Sequence, residues 1–300
     1  MPRKFPKLSK LIGPYRIEHG KKFRIRDYDP ADTQGLDLKA EANQFLQQGV
    51  ERLNDMQQKL YAQDRWALLV IFQAMDSAGK DSAIRHVMSG INPQGCQVYA
   101  FKKPSVEELS HDFLWRASRC LPQRGHIGIF NRSYYEETLV VRVHPALLRE
   151  ERIPQPLVTK RIWKERFEDI NGFERYQDRN GTCIRKIFLN VSKQEQRRRF
   201  LGRLEEPDKN WKFSEDDVRE REHWDDYMHA YEDMIRHTAT PHAPWLVVPA
   251  DHKWFARVVV ASIVIEALES LKLAFPKVDG AKKAGLESAR KMLVEEGGNG

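Results

Sequence analysis

The sequence predicts a three-layer α/β fold, with helices on both faces of a five-stranded parallel sheet, and three observations predict it. Short apolar or β-branched segments at 66–73, 96–101, 126–131, 183–191 and 245–248 have the length and composition of strands. Helical patterns separate them, and alternation of strand and helix places the strands parallel with both faces covered. The first strand runs directly into Ala74-Met-Asp-Ser-Ala-Gly-Lys-Asp81, a small-residue turn that closes on Gly79-Lys80.

The remaining elements follow in chain order. Residues 1–38 mix Lys, Arg, Pro, Gly and aromatics without a sustained period and read as an irregular surface arm. Between 40 and 63, Leu46, Val50, Leu53 and Leu60 recur at helical spacing with Met56 beside them, predicting an amphipathic helix packed on the domain. Ser192 and Glu195 form a capping box that opens a helix carrying Arg197, Arg198 and Arg199 until Pro207 interrupts it. Ser214 opens a further helix in which Trp224, Met228, Tyr231 and Ile235 keep the helical period, so these aromatics read as packing. The helix at 254–273 is apolar nearly all round and reads as buried, a candidate for a subunit interface. The tail at 276–300 ends Gly297-Gly-Asn-Gly300 and reads as poorly ordered. The main domain is expected at 39–275, with 192–222 as its lid.

A chain of 300 residues with 41% hydrophobic content can bury a full core as one large domain. The 50 Lys and Arg against 43 Asp and Glu leave a charge of +7, suited to an anionic substrate and equally to weak polyanion binding. Cys96, Cys120 and Cys183 are odd in number and widely spaced, which indicates neither a disulfide framework nor a structural zinc site and points to a reducing cytoplasm. The basic N-terminus has no apolar core of signal-peptide length, and the segment 258–268 is too short to span a bilayer. A cytoplasmic protein without membrane contact is expected.

The turn at 74–81 reads as a phosphate-binding loop: a buried strand stops, backbone N–H groups surround an anion, Lys80 reaches a phosphate and a helix N-terminus follows. Five strands with such a loop after the first describe a P-loop kinase core, whose ligands bind beyond the carboxyl ends of the strands. Ala78, Gly79, Asp81 and Ser82 complete the phosphate-facing set with Lys80. Ala74 stands where the standard loop has its first glycine, and Asp81 replaces the hydroxyl residue that ligates magnesium. Asp76 is the substitute ligand, since Mg2+ is held by one or two carboxylates plus substrate phosphates. The same residues would also make an ordinary strand-to-helix turn with Lys80 solvated.

Phe130-Asn-Arg-Ser-Tyr-Tyr-Glu-Glu137 ends the third strand, where a P-loop enzyme carries an acidic metal ligand. Asn131 offers an amide oxygen without charge, so Asp76 bears most of the neutralisation unless Glu136 or Glu137 turns inward. Arg132 can grip phosphate oxygens bidentately, although Ser133 capping a plain helix start is an equal alternative. Lys102 and Lys103 follow the second strand and can reach an acceptor phosphate. The arginine run and the segment through Phe213 look like a lid that closes cations over the transferring group; such a run is also common on solvated helix faces.

The set Ala-Met-Asp-Ser-Ala-Gly-Lys-Asp, Phe-Lys-Lys-Pro-Ser, Phe-Asn-Arg-Ser-Tyr-Tyr-Glu-Glu and Arg-Arg-Arg-Phe through Asn-Trp-Lys-Phe resembles the family-2 polyphosphate kinases from about residue 10 to 275. The resemblance implies a three-layer αβα P-loop fold related to thymidylate kinase and phosphoryl transfer between inorganic polyphosphate and nucleotides with Mg2+, for which Mn2+ can substitute. It assigns catalysis to Asp76, Lys80, Arg132, Arg198 and Lys212, and substrate binding to Ala78, Gly79, Asp81, Ser82, Lys102, Lys103, Asn131 and Glu137. Asp76 and Asn131 become the metal residues. Phe-Asn-Arg-Ser with Tyr-Glu-Glu is similar to the third class, whose members phosphorylate AMP and ADP. Partners implied are polyphosphate and the purine nucleotides AMP, ADP and ATP, with GMP and GDP as further acceptors, no specific nucleic acid and no membrane. A homo-oligomer, dimer or tetramer, is also implied. Two rivals share the pattern: an ATP-dependent nucleoside monophosphate kinase, separated by donor preference, and a non-catalytic polyanion-binding protein, separated by salt-dependent binding without turnover.

Overall fold

The computed structural model describes residues 7–36, 39–212 and 214–297; parts of the expected arm (1–6, 37 and 38), the lid residue Phe213 and residues 298–300 lie outside them. So do the side chains of Lys209, Trp211 and Lys212. The arm supplies a short helix, α1 (Leu8–Ile12), and a two-residue strand, β1 (Arg16–Ile17). The long amphipathic helix follows as α2 (Lys39–Gln63) and leads to β2 (Ala67–Gln73) and α3 (Lys80–Val87). Next come β3 (Cys96–Ala100), α4 (Trp115–Ser118), β4 (Ile127–Asn131), α5 (Val140–Val143) and α6 (Ile162–Arg179). The second half contains β5 (Thr182–Asn190), α7 (Lys193–Glu205), α8 (Glu215–Arg219), α9 (Trp224–Thr238), β6 (Trp245–Pro249), α10 (Lys253–Ser270) and α11 (Gly280–Gly297).

The five expected strands form one parallel sheet, and the structure adds a sixth that the sequence reading did not contain. The order is β1-β6-β5-β2-β4-β3, with β1 antiparallel to β6. Two residues are too few to carry a periodicity signal, so β1 emerges only from its pairing of Arg16 with Leu246 and Ile17 with Trp245. Arg16 also reaches Glu266 of α10 at 2.8 Å. The strands β2, β5 and β6 are buried at every position, as expected for parallel strands covered on both faces.

On one face, α10 is buried along nearly its whole length, from Phe255 to Leu268. Its cover comes from this chain: α2 lies over it through a stripe that includes Leu46, Leu53 and Leu60, and α1 closes one end. The all-round apolar pattern therefore marks an inner helix of the monomer, in place of the subunit interface suggested from sequence. On the opposite face α9 turns Trp224, Tyr227, Tyr231 and Ile235 inward, and Tyr231 stacks on Phe188 of β5 at 4.5 Å between ring centroids. Beyond the core, α11 follows residue 279 with its described side chains exposed. Among the described residues no helix is long and apolar enough to cross a membrane.

Candidate active site

β2 ends at Gln73, and the chain then turns through Ala74–Gly79 before α3 starts at Lys80. Gly79 holds φ 109°, a left-handed conformation that side chains rarely adopt, and this, more than crowding, explains the glycine. Lys80 curls back over the loop, its Nζ donating to the Ala74 carbonyl at 2.8 Å. Burial lowers the Lys80 pKa, opposed by the charge of Asp76.

A buried arginine of α7 holds the loop from outside. Arg199 donates to the carbonyls of Ser77 (3.1 Å) and Ala78 (2.6 Å), and with its other nitrogen to those of Ala250 (2.5 Å) and Asp251 (3.1 Å). Drawing the Ala78 carbonyl toward Arg199 turns the Gly79 N–H, across the same planar peptide, to the opposite side. Gln196, one turn earlier on α7, donates to the Asp76 carbonyl at 2.9 Å. Loop and α7 are thus joined by hydrogen bonds to backbone.

The second motif meets the loop. Arg132 leaves β4 with φ 64°, its N–H donating to Phe72 (3.0 Å) and its guanidinium to the Asp76 carboxylate (2.8 Å). Burial alone would raise the Asp76 pKa, but Lys80 and Arg132 hold the carboxyl below the usual range. Asn131 donates its amide to Asp81 at 2.7 Å, and buried Gln73 donates to Glu136 at 2.7 Å. Of the two adjacent glutamates, Glu136 is the one whose charge acts most strongly on Arg132, raising its pKa.

This turn is fastened from below. Tyr134 and Tyr135 donate to Glu174 of α6 at 2.9 and 2.7 Å, and Glu174 is paired with Lys186 of β5 at 2.6 Å, all fully buried. Ser133 caps the turn by accepting from the Tyr135 N–H at 3.1 Å, as the capping reading of this motif expects, while the neighbouring Arg132 is held on Asp76.

The other expected residues divide. Asp76, Lys80, Asp81, Asn131 and Arg132 gather at the loop. Ser82 instead accepts from Arg257 of α10 at 2.7 Å. Arg198 points to solvent, bound by both oxygens of Glu195 at 2.6 and 2.7 Å, while Arg203, one turn past Arg199, is the α7 cation whose charge acts on Asp76. Arg203 also pairs with Asp217 of α8 at 3.7 Å. The side chain of Lys212 is outside the described residues. Arg203 and Gln196 were missed from sequence, where Arg199 was read only within the arginine run and Glu136 only as an alternative to Glu137; the signal available was the helical spacing of 196, 199 and 203, which places them on one face.

Beside Arg132 opens a cavity of about 260 Å³ whose lining includes Lys102, Lys103, Glu136 and Glu137. Phe101, Leu109, Val140, Val141 and Leu147 give it apolar walls. Glu137 is buried there and paired with Arg166 at 2.9 Å; Arg166 also holds Glu151. Burial and the neighbouring Glu151 push the Glu137 carboxyl up to about 7, against the pull of Arg166.

Known proteins are similar to this chain in sequence and in overall shape. An ADP-polyphosphate phosphotransferase of Rhodopseudomonas palustris is 49% identical over 282 residues, covering 94% of this chain and 98% of the relative. An AMP/ADP-polyphosphate phosphotransferase of Meiothermus ruber is 40% identical, covering 90% of this chain and 97% of the relative. The crystal structure of polyphosphate kinase 2 from Arthrobacter aurescens superposes with a TM-score of 0.84 at 39% identity, over 96% of this chain and 99% of that one. The sequence model of Polyphosphate kinase 2 (PPK2) matches residues 37–276, the span that holds the loop, the second motif, α7 and the cavity, and the chain belongs to this family of phosphotransferases.

Proposed function

We propose that this protein is a polyphosphate-dependent nucleotide kinase that transfers the terminal phosphoryl group of inorganic polyphosphate to AMP and ADP, reversibly. The observation that carries the reading is the convergence of Lys80, Arg132 and Arg203 on Asp76, with Arg132 also lining the Lys102–Lys103 cavity. In-line phosphoryl transfer needs little covalent help and mostly requires cations placed around the moving oxygens. An oxygen of the acceptor's outer phosphate attacks the end phosphorus of the polyphosphate. The P–O bond to the rest of the chain breaks, and the shortened chain keeps the electron pair on its new end oxygen. The acceptor phosphate, with a second pKa of about 6, is already largely ionised at neutral pH, so no strong general base is required.

The residues fit a hard divalent cation, Mg2+ with Mn2+ as a substitute. Asp76 has a second carboxylate oxygen that its bond to Arg132 does not use, and the bond from Asn131 to Asp81 leaves the Asn131 amide oxygen clear. Among the described residues no three His, Cys, Asp or Glu side chains gather as a metal group, so substrate phosphates would complete the coordination, as is usual for Mg2+. The ion would supply neutralisation of phosphate charge. The reading also includes Lys102 and Lys103 on the acceptor, Ala78 and Gly79 on the donor phosphates, a cytoplasmic setting, a homo-oligomer and GMP or GDP as further acceptors.

A nucleotide-resolved time course with purified protein and Mg2+, supplying AMP or ADP with either long-chain polyphosphate or ATP, tests this. ADP and then ATP formed from AMP only with polyphosphate is the expected result. Turnover only with ATP would overturn it.

A further inference from the structure

The cavity beside Arg132 ends in an arrangement that the phosphoryl-transfer chemistry does not use. Two carboxylates, Glu137 and Glu151, share one arginine, Arg166, which donates to both. Arg166 is buried, with the rings of Phe113 and Trp163 centred 5.0 and 5.6 Å away, so the pair is held in place. The second oxygen of Glu151 is buried without a hydrogen-bond partner. Both glutamates line the cavity, together with the apolar side chains of Phe101, Leu109, Val140, Val141 and Leu147.

We propose that the Glu137–Glu151 pair reads the edge of the acceptor's base and selects adenine over guanine nucleotides. The inference rests on the cavity being the acceptor site. Two carboxylates beside a single arginine carry one excess negative charge, and in a buried setting such a pair retains one proton, carried by one of the two carboxyls. With that proton the pair offers one O–H donor and free acceptor oxygens. Adenine presents the complement, a ring nitrogen that accepts and an amino group that donates. Guanine presents two donors on the same edge and calls for two acceptors, the pattern of the pair once its proton is lost. The groups that set the charge there are Arg166 from α6, Arg116 from α4, Lys103 paired with Glu150 at 3.6 Å, and Arg132 and Glu136 at the phosphate end. The elevated Glu137 carboxyl, at about 7, places the loss of that proton near neutrality.

The test is the ratio of kcat/KM for AMP to that for GMP, with polyphosphate as donor and Mg2+ present, followed from about pH 6 to about pH 8. Both nucleotides carry the same phosphate, so its titration cancels in the ratio. The wild-type ratio is expected to be about tenfold or more at the acidic end and to fall several-fold as the pH rises. Glu151→Gln offers donor and acceptor at every pH, so its adenine preference should persist with a flat profile. Glu151→Met should bring the ratio close to unity. A wild-type ratio indifferent to pH, or Glu151→Met with the wild-type ratio, overturns the proposal. Val141→Trp separates the two readings: filling the cavity should raise KM for both nucleotides and leave KM for polyphosphate unchanged. If nucleotide KM does not move, the acceptor-site reading has failed; if it rises while the ratio ignores Glu151, only the base-reading inference has.

Discussion

Arg132 donates to the Asp76 carboxylate at 2.8 Å, joining the end of β4 to the phosphate loop after β2. Neither side chain is deeply hidden, with 39% and 33% of their surfaces exposed, so the pair can open to admit phosphate oxygens or a cation. Asp76→Asn keeps the shape and removes the charge. It is expected to lower kcat by roughly a hundredfold or more, the scale for losing one preorganised electrostatic partner, while the melting temperature stays near wild type. Lys80→Ala should fall at least as far. Near-wild-type turnover in either folded variant would remove that residue from the proposed chemistry.

Two adjacent arginines of α7 should behave oppositely. Arg199 is buried with four backbone carbonyls as acceptors, so Arg199→Met leaves those carbonyls and Glu195 short of partners and should cost about 3 kcal/mol of stability, seen in urea unfolding. Arg198 lies in solvent, and Arg198→Met should change stability by less than about 0.5 kcal/mol. In turnover, Arg203→Met should cost more than Arg198→Met, because the charge of Arg203 reaches Asp76. The reverse order of activities would return the lid role to Arg198.

The Lys186–Glu174 pair under the second motif is fully buried. Lys186→Met strands the Glu174 carboxylate and is expected to destabilise the fold by about 3–5 kcal/mol. Adding Glu174→Gln should recover part of that loss, since the stranded charge is gone. A double variant no better than the single, by thermal unfolding, would show that the charge is not the cause.

Stability should also register Glu137. Its folded pKa of about 7 lies above the ordinary glutamate value of 4.5, so the folded state binds the proton more tightly. This contribution is complete below about pH 4.5 and is lost as the pH rises through about 7. Between about pH 5 and about pH 8 the melting temperature of wild type should fall relative to that of Glu137→Gln, which has no proton to lose. Parallel curves for the two proteins would contradict the assignment.

Much of this was legible along the chain. The runs at β2 and β5 announce buried parallel strands, and Gly79-Lys80 announces a phosphate loop, because strand periodicity and left-handed turns are local properties. The capping pair Ser192 and Glu195 placed the start of α7 correctly, and the Glu195 N–H donates to Ser192 Oγ at 3.1 Å. β1 escaped notice because its two residues become a strand only against β6. Glu137 was expected to serve substrate; whether it or Glu136 faces Arg132 depends on how the turn after β4 is fastened to Glu174, far away in sequence.

By itself, then, the sequence determined the alternation of strands and helices, the phosphate loop and the motifs that mark the family, since each is written in neighbouring residues and their spacing. The tertiary structure alone decided which arginine of α7 clamps the loop, which faces Asp76 and which is left in solvent, because the rotation of a helix about its axis is set by the surface it packs against. It also decided that Glu137 and Glu151, fourteen positions apart, close on one buried arginine at the end of a cavity, a contact that exists only once α6 is seated against the sheet.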